Sequence, residues 1–211
     1  MIKKEISKEL VSKARETYIG DIGDNALYRM CEEYPEHTDK NAIVSKIWLI
    51  GRSYAADIVR TKRKPKDITA DDFYKEFVYP KMLEIGAELD GRIAELNQVN
   101  EITPKSLPEI SRTHKLLVDS FYSVTGQVNT SLASKYLHFH APNMFYIYDS
   151  YADKSATGLS SGDKKIEKLL QGGDARYIKH LARLYDIQEY IKKEYSIPMT
   201  PREIDRMLVF C

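Results

Sequence analysis

Cysteine is nearly missing from this chain of 211 residues. There are two, Cys31 and Cys211, far apart. That excludes a disulfide framework and a thiolate metal site, and it fits free thiols in a reducing compartment. A long apolar run is missing as well. No stretch approaches the roughly 20 residues that span a bilayer. The opening residues, MIKKEISKELVSKARE, are basic but have no apolar core behind them, unlike a secretory signal. The expectation is a cytoplasmic protein with no membrane partner. An excess of either charge is missing too: 32 basic residues meet 31 acidic ones, a net charge of +1. Binding nucleic acid through bulk charge is therefore excluded, and only local basic patches are left. Oligomeric state is left open.

Several site signatures are absent. There is no glycine-rich phosphate loop of the Walker or dinucleotide type and no Gly-x-Ser-x-Gly elbow. No cofactor is called for. His138 and His140 are two apart, about 200° around a helix, so they cannot share a metal there. No further Cys/His cluster completes a set, and no metal site is expected.

Helical periodicity is abundant. Apolar residues recur every three to four positions over 3–17, 25–34, 39–60 and 69–97, and again over 108–125, 131–139, 163–170, 174–195 and 201–209. The 39–60 stretch counts Val44, Ile47, Trp48, Gly51 and Tyr54 on its apolar stripe. Asp24, Thr69, Asp163 and Asp174 sit where helix caps belong, and Thr200-Pro201-Arg202-Glu203 has the capping-box pattern. Tyr79-Pro80 marks a break or kink. Residues 154–163, rich in Ser and Gly, read as a flexible loop. Period-2 alternation is lacking, except for a short β-prone run at Phe145–Tyr148. The expected fold is all-α: a compact, orthogonal multi-helix domain of about eight to ten helices over residues 1–211. Two helical lobes meeting near 98–108 are the alternative division.

Three features have plain readings. The run RTKRKPK at 60–66 is a solvated loop near a helix C-terminus or, less simply, a phosphate contact. His114 lies on an apolar helix face and reads as a hydrogen-bonded core residue. The 15 tyrosines are mostly core residues with one polar end.

Ser131–Ser150, SLASKYLHFHAPNMFYIYDS, is different. It gathers a lysine, two histidines, several aromatics and an aspartate in one apolar stretch. Helix is expected to Phe139, an extended apolar segment after Pro142, and a second helix opened by Asp149. If the two helices pack as a hairpin, Lys135 and Asp149 share a cleft. A lysine in apolar surroundings beside a carboxylate is a candidate nucleophile or base. Tyr136, His138, Tyr146, Tyr148 and Arg52 are the candidate ligand-binding residues. The competing reading is structural: Asp149 caps a helix, Lys135 snorkels to the surface and the aromatics are core.

The pattern ASKYLHFHAPNMFYIYDSYA resembles a motif of uncharacterised bacterial helical proteins, Ser-Lys-x-Leu-His-Phe, then Pro, then Ile-x-Asp-Ser. Trp48-Leu49-Ile50-Gly51-Arg52-Ser53-Tyr54-Ala55 and Arg202-Glu203-Ile204-Asp205-Arg206-x-Leu208 look like further parts of that family. More remotely, the segment resembles the core of helix-hairpin-helix DNA glycosylases. That resemblance implies Lys135 as the amine attacking a sugar carbon and Asp149 as the stabiliser of the developing cation. It also implies a base flipped among Tyr136, Tyr146 and Tyr148. The expected partner is a nucleic acid or modified nucleotide. The alternative is a non-catalytic module binding a small ligand or a protein.

Overall fold

The computed structural model describes residues 1–16, 21–61, 64–65 and 67–211. Among them the chain is all-α. In order come α1 (Lys8–Ala14), α2 (Asp21–Glu33), α3 (Lys40–Ser53), α4 (Ala70–Phe73), a π turn (Tyr74–Val78) and α5 (Tyr79–Val99). They are followed by α6 (Leu107–Thr125), α7 (Thr130–His140), α8 (Ser150–Leu159), α9 (Lys164–Leu169), α10 (Ala175–Tyr195) and α11 (Pro201–Val209). Because α4, the π turn and α5 run on as one helix, the described residues form ten helices, as the periodicity predicts. The only β pairing among them is a single antiparallel bridge between Ile2 and Ser160.

Side-chain caps start most of these helices. Ser7, Asp39, Thr69, Asp149, Asp163, Asp174 and Thr200 each accept a bond from a first-turn N–H. Each satisfies a donor that helix geometry leaves orphaned. Thr200 and Glu203 form a complete capping box. Pro80 does not break its helix. It lacks an N–H and would clash with the carbonyl four residues back. The π turn in front of it widens the ladder by one residue, and Tyr79 N–H bonds Tyr74 O.

Some boundaries depart from expectation. Asp24 caps nothing and lies buried inside α2. The third helix stops at Ser53 instead of 60. Ala55 takes a left-handed conformation, φ 52°, and the chain folds back so closely that a Cβ on Gly51 would stand 3.2 Å from Asp57 Cα. Trp48, expected on the buried stripe, is 43 % exposed. Of the loop expected over 154–163, only residues 160–163 lie outside a helix: α8 continues to Leu159, and Asp163 caps α9. In the basic run, Lys62, Arg63 and Lys66 lie outside the described residues. Lys64 donates to Ile68 O at 2.6 Å.

The core is one cluster running from Ile6 to Leu208. At its centre is α7, packed by α2, α3 and α6. Of its eleven residues, all but Ser131 are buried. A helix buried all round must hold its polar side chains inside the protein, so each of them needs a partner there.

Candidate functional site around Lys135 and Asp149

The connection from α7 to α8 builds the site. Residues 141–149 turn at Pro142 and run extended through the core, with Phe145, Tyr146 and Ile147 buried. No neighbouring strand pairs with this backbone among the described residues, and buried backbone groups left unpaired are costly. Side chains take the place of a strand. His138 Nδ1 donates to Phe145 O at 2.7 Å. Tyr177 donates its hydroxyl to Tyr146 O at 3.1 Å. His180 Nε2 donates to Ile147 O at 2.9 Å, and Lys135 Nζ to Tyr148 O at 3.2 Å. Tyr148 N–H in turn donates to Ser134 Oγ at 3.0 Å. Four consecutive carbonyls thus each have a side-chain donor.

Lys135 therefore does not snorkel. It is 1 % exposed, and its ammonium also donates to Ser131 Oγ at 2.7 Å. Asp149 Oδ2 lies 3.9 Å away, and the Tyr54 ring stands 5.7 Å off. Burial pulls the lysine below its ordinary range, while Asp149 and Asp205 act in the opposite sense. Asp149 caps α8, accepting from Ala152 N–H at 2.8 Å, and its side chain is 42 % exposed. Capping and ion pairing are compatible because the carboxylate has two oxygens.

Charged groups remote in sequence surround this pair. Arg202 of α11 donates to Asp205 Oδ2 at 2.7 Å and pairs with Asp24 of α2. Asp24 also accepts from Tyr54 OH. Burial pushes the Asp205 carboxyl up to about 6, with Asp149 adding to the rise and Arg202 and Lys135 opposing it. Burial likewise drives the Tyr54 phenol far above its ordinary value, reinforced by Asp24. The group holds three carboxylates and two cations. On its outer side, between α2, α3 and α11, a cleft of about 490 Å³ is lined by Asp24, Leu27, Met30, Leu49, Tyr54 and Arg202.

The other sequence-predicted residues separate. Tyr136 points away from Lys135 into a second buried network. It donates to His37 Nε2 at 2.8 Å, and His37 Nδ1 bonds Asp90. Buried Lys46 lies beside it, donating to Tyr34 O at 2.7 Å and sitting 3.2 Å from His140 Nε2. Tyr146 is fully buried with its hydroxyl on Gln188. His138 sits between Phe145 O and Tyr28 OH, the latter 2.6 Å from Nε2. A carbonyl only accepts, so Nδ1 carries the proton and Tyr28 donates to Nε2. Burial holds this histidine down to about 4. Tyr148 is partly exposed, its ring edge-on to His180. Arg52 is exposed and engaged with Trp48 and Asp57.

Sequence reasoning missed Asp24, Tyr54, Arg202 and Asp205. Arg202 and Asp205 were visible as a helical i,i+3 pair, but nothing local indicates that α11 returns to α2 and α7. Among the described residues no cluster of His, Cys, Asp and Glu could hold a metal ion. No helix of the described residues is long and apolar enough to cross a membrane. No family model, curated protein or solved structure matches the chain.

Proposed function

We propose that this chain is a non-catalytic binding module whose cleft between α2, α3 and α11 takes a small ligand. The supporting observation is the state of Lys135. Its ammonium is enclosed by Ser131 Oγ, Tyr148 O and Asp149. A nucleophilic amine needs a free lone pair facing a substrate, and this one faces the protein. The cleft, by contrast, is open and of the size that small ligands occupy. Leu27, Met30 and Leu49 offer an apolar wall, and the Asp24–Arg202–Tyr54 cluster a polar end. At that end the Asp24 carboxylate and the Tyr54 hydroxyl oxygen are acceptors, which favour a ligand with a cationic or hydrogen-bond-donating head. Tyramine is a suitable probe. Saturable amide shifts at Gly23, Ser53 and Tyr54, lost in Met30→Lys, are the expected result. No saturable shift, or equal shifts in Met30→Lys, would overturn the reading.

A second reading is favoured by one distance, the 3.9 Å between Lys135 Nζ and Asp149 Oδ2. It is a glycosylase-related protein acting on a nucleic acid or modified nucleotide through that pair. Borohydride trapping on a panel of damaged DNAs tests it. Base release and a covalent adduct, both lost in Lys135→Ala, support it; neither from any substrate sinks it.

A further inference from the structure

A cleft of about 400 Å³ opens between α5, α6 and the link from α9 to α10. It shares no lining residue with the cleft between α2, α3 and α11. Ser111 of α6 lines it, is 3 % exposed, and its hydroxyl has no hydrogen-bond partner. Buried hydroxyls are seldom left so. A serine inside a helix can give its proton to the carbonyl four residues back. Ser120, on the same helix, does this to Leu116 O at 2.8 Å; Ser111 does not. The link passes close by: a Cβ on Gly173 would collide with Ser111 Oγ, so only glycine fits there. Gly172 beside it donates its N–H to no backbone group among the described residues.

The charges around this cleft turn one sign inward. Arg92, Arg112 and Lys115 line it, against a single carboxylate, Glu88. Glu109 and Asp119, which pair with those cations, are not among its walls. Glu109 accepts from Arg92, Arg112 and Thr113, so it holds both guanidinium groups from outside the cleft. Arg112 spends Nε and Nη2 on that carboxylate, and its Nη1 bonds nothing among the described residues. Ion pairs this exposed are individually weak. An entering anion therefore meets cations that are held in place but not used up. Pro108, Leu116, Leu169 and Leu170 give the same cleft an apolar wall, and Leu169 is 54 % exposed.

We propose that this cleft binds a small organic carboxylate with an apolar body. The carboxylate lies on Arg112 and the Ser111 hydroxyl, and the body lies against Leu169 and Leu170. A carboxylate only accepts, through two oxygens. It can take the serine proton on one and a charge-assisted bond from the guanidinium on the other. With Glu88, Glu109 and Asp119 already nearby, a singly charged head is favoured over a doubly charged phosphate monoester.

The test is amide NMR titration of the full chain with phenylacetate, phenylacetamide, acetate and phenyl phosphate, with sodium chloride holding ionic strength constant. Phenylacetate is expected to give saturable shifts at Ser111, Gly172 and Gly173. Phenylacetamide, which lacks the charge, and acetate, which lacks the ring, are each expected to bind at least about tenfold more weakly. Arg112→Gln, at an exposed position, is expected to weaken phenylacetate at least about tenfold, the loss of a charge-assisted hydrogen bond. Ser111→Ala removes a hydroxyl that bonds nothing in the free protein. It is expected to keep the fold and weaken phenylacetate, which a merely packed serine would not do. No saturable shift, amide or acetate binding as tight as phenylacetate, undiminished binding in either variant, or phenyl phosphate binding more tightly than phenylacetate would each overturn the proposal.

Discussion

Replacing Lys135 with methionine keeps the length of the side chain and removes its three donors. Tyr148 O and Ser131 Oγ then lose their buried partner. An unsatisfied buried polar group costs about 1–3 kcal/mol. The expected result is a fall of that size in unfolding free energy, read from urea titration; an unchanged midpoint would show that water replaces the ammonium. Asp149 separates its two roles by a pair of substitutions. Asn caps a helix about as well as Asp, and Ala does not. Asp149→Ala is therefore expected to cost about 0.5–2 kcal/mol, whereas Asp149→Asn loses only the contact across 3.9 Å to Lys135. Since Asp149 is partly exposed, that contact is screened and weak. Equal losses in the two variants would mean the charge, not the cap, is what matters.

The segment Phe145–Tyr148 gains its conformation from the elements around it. Its four carbonyls draw donors from α7 and α10, so it behaves as a strand whose neighbours are side chains. Ser134→Ala leaves the Tyr148 N–H without its acceptor. A loss of about 1–3 kcal/mol is expected, with faster hydrogen exchange confined to residues 145–149. Exchange that rises equally across α7 would contradict this local role. The same segment marks how far the sequence could be read. Helix periods and caps were legible because they are local: Thr69, Asp163, Asp174 and the Thr200–Glu203 box lie within one turn of what they satisfy. The Lys135–Asp149 contact was legible because both ends belong to one helix–turn–helix passage. Asp24, Tyr54, Arg202 and Asp205 were not, since α11 meets α2 across nearly the whole chain. The roles of Tyr136 and Tyr146 escaped for the same reason. Their hydroxyl partners, His37 and Gln188, are distant in sequence.

At the scale of the whole molecule, buried ionisable groups make stability depend on pH in a direction that can be worked out. Burial holds His114 and His138 near 4, and His140 well below its ordinary range. Their unfolded values lie near 6.5. Between those limits the unfolded chain binds more protons, so stability is full above 6.5 and is lost as pH falls toward 4. For the two histidines near 4 the loss is on the order of 3 kcal/mol each. Asp205 acts the other way. Its carboxyl, near 6 in the fold, returns to about 3.9 on unfolding, so the folded chain binds more protons between those values and regains stability as pH falls through them. Three histidines oppose one carboxyl, and the histidines win. Urea midpoints are expected to drop between pH 7 and pH 4.5. Asp205→Asn removes the opposing contribution without adding a charge, so its drop over the same interval is expected to be larger than that of the wild type. An equal or smaller drop would mean that Asp205 titrates in the fold as it does in water, and that the charged cluster joining α2, α7 and α11 is open to solvent.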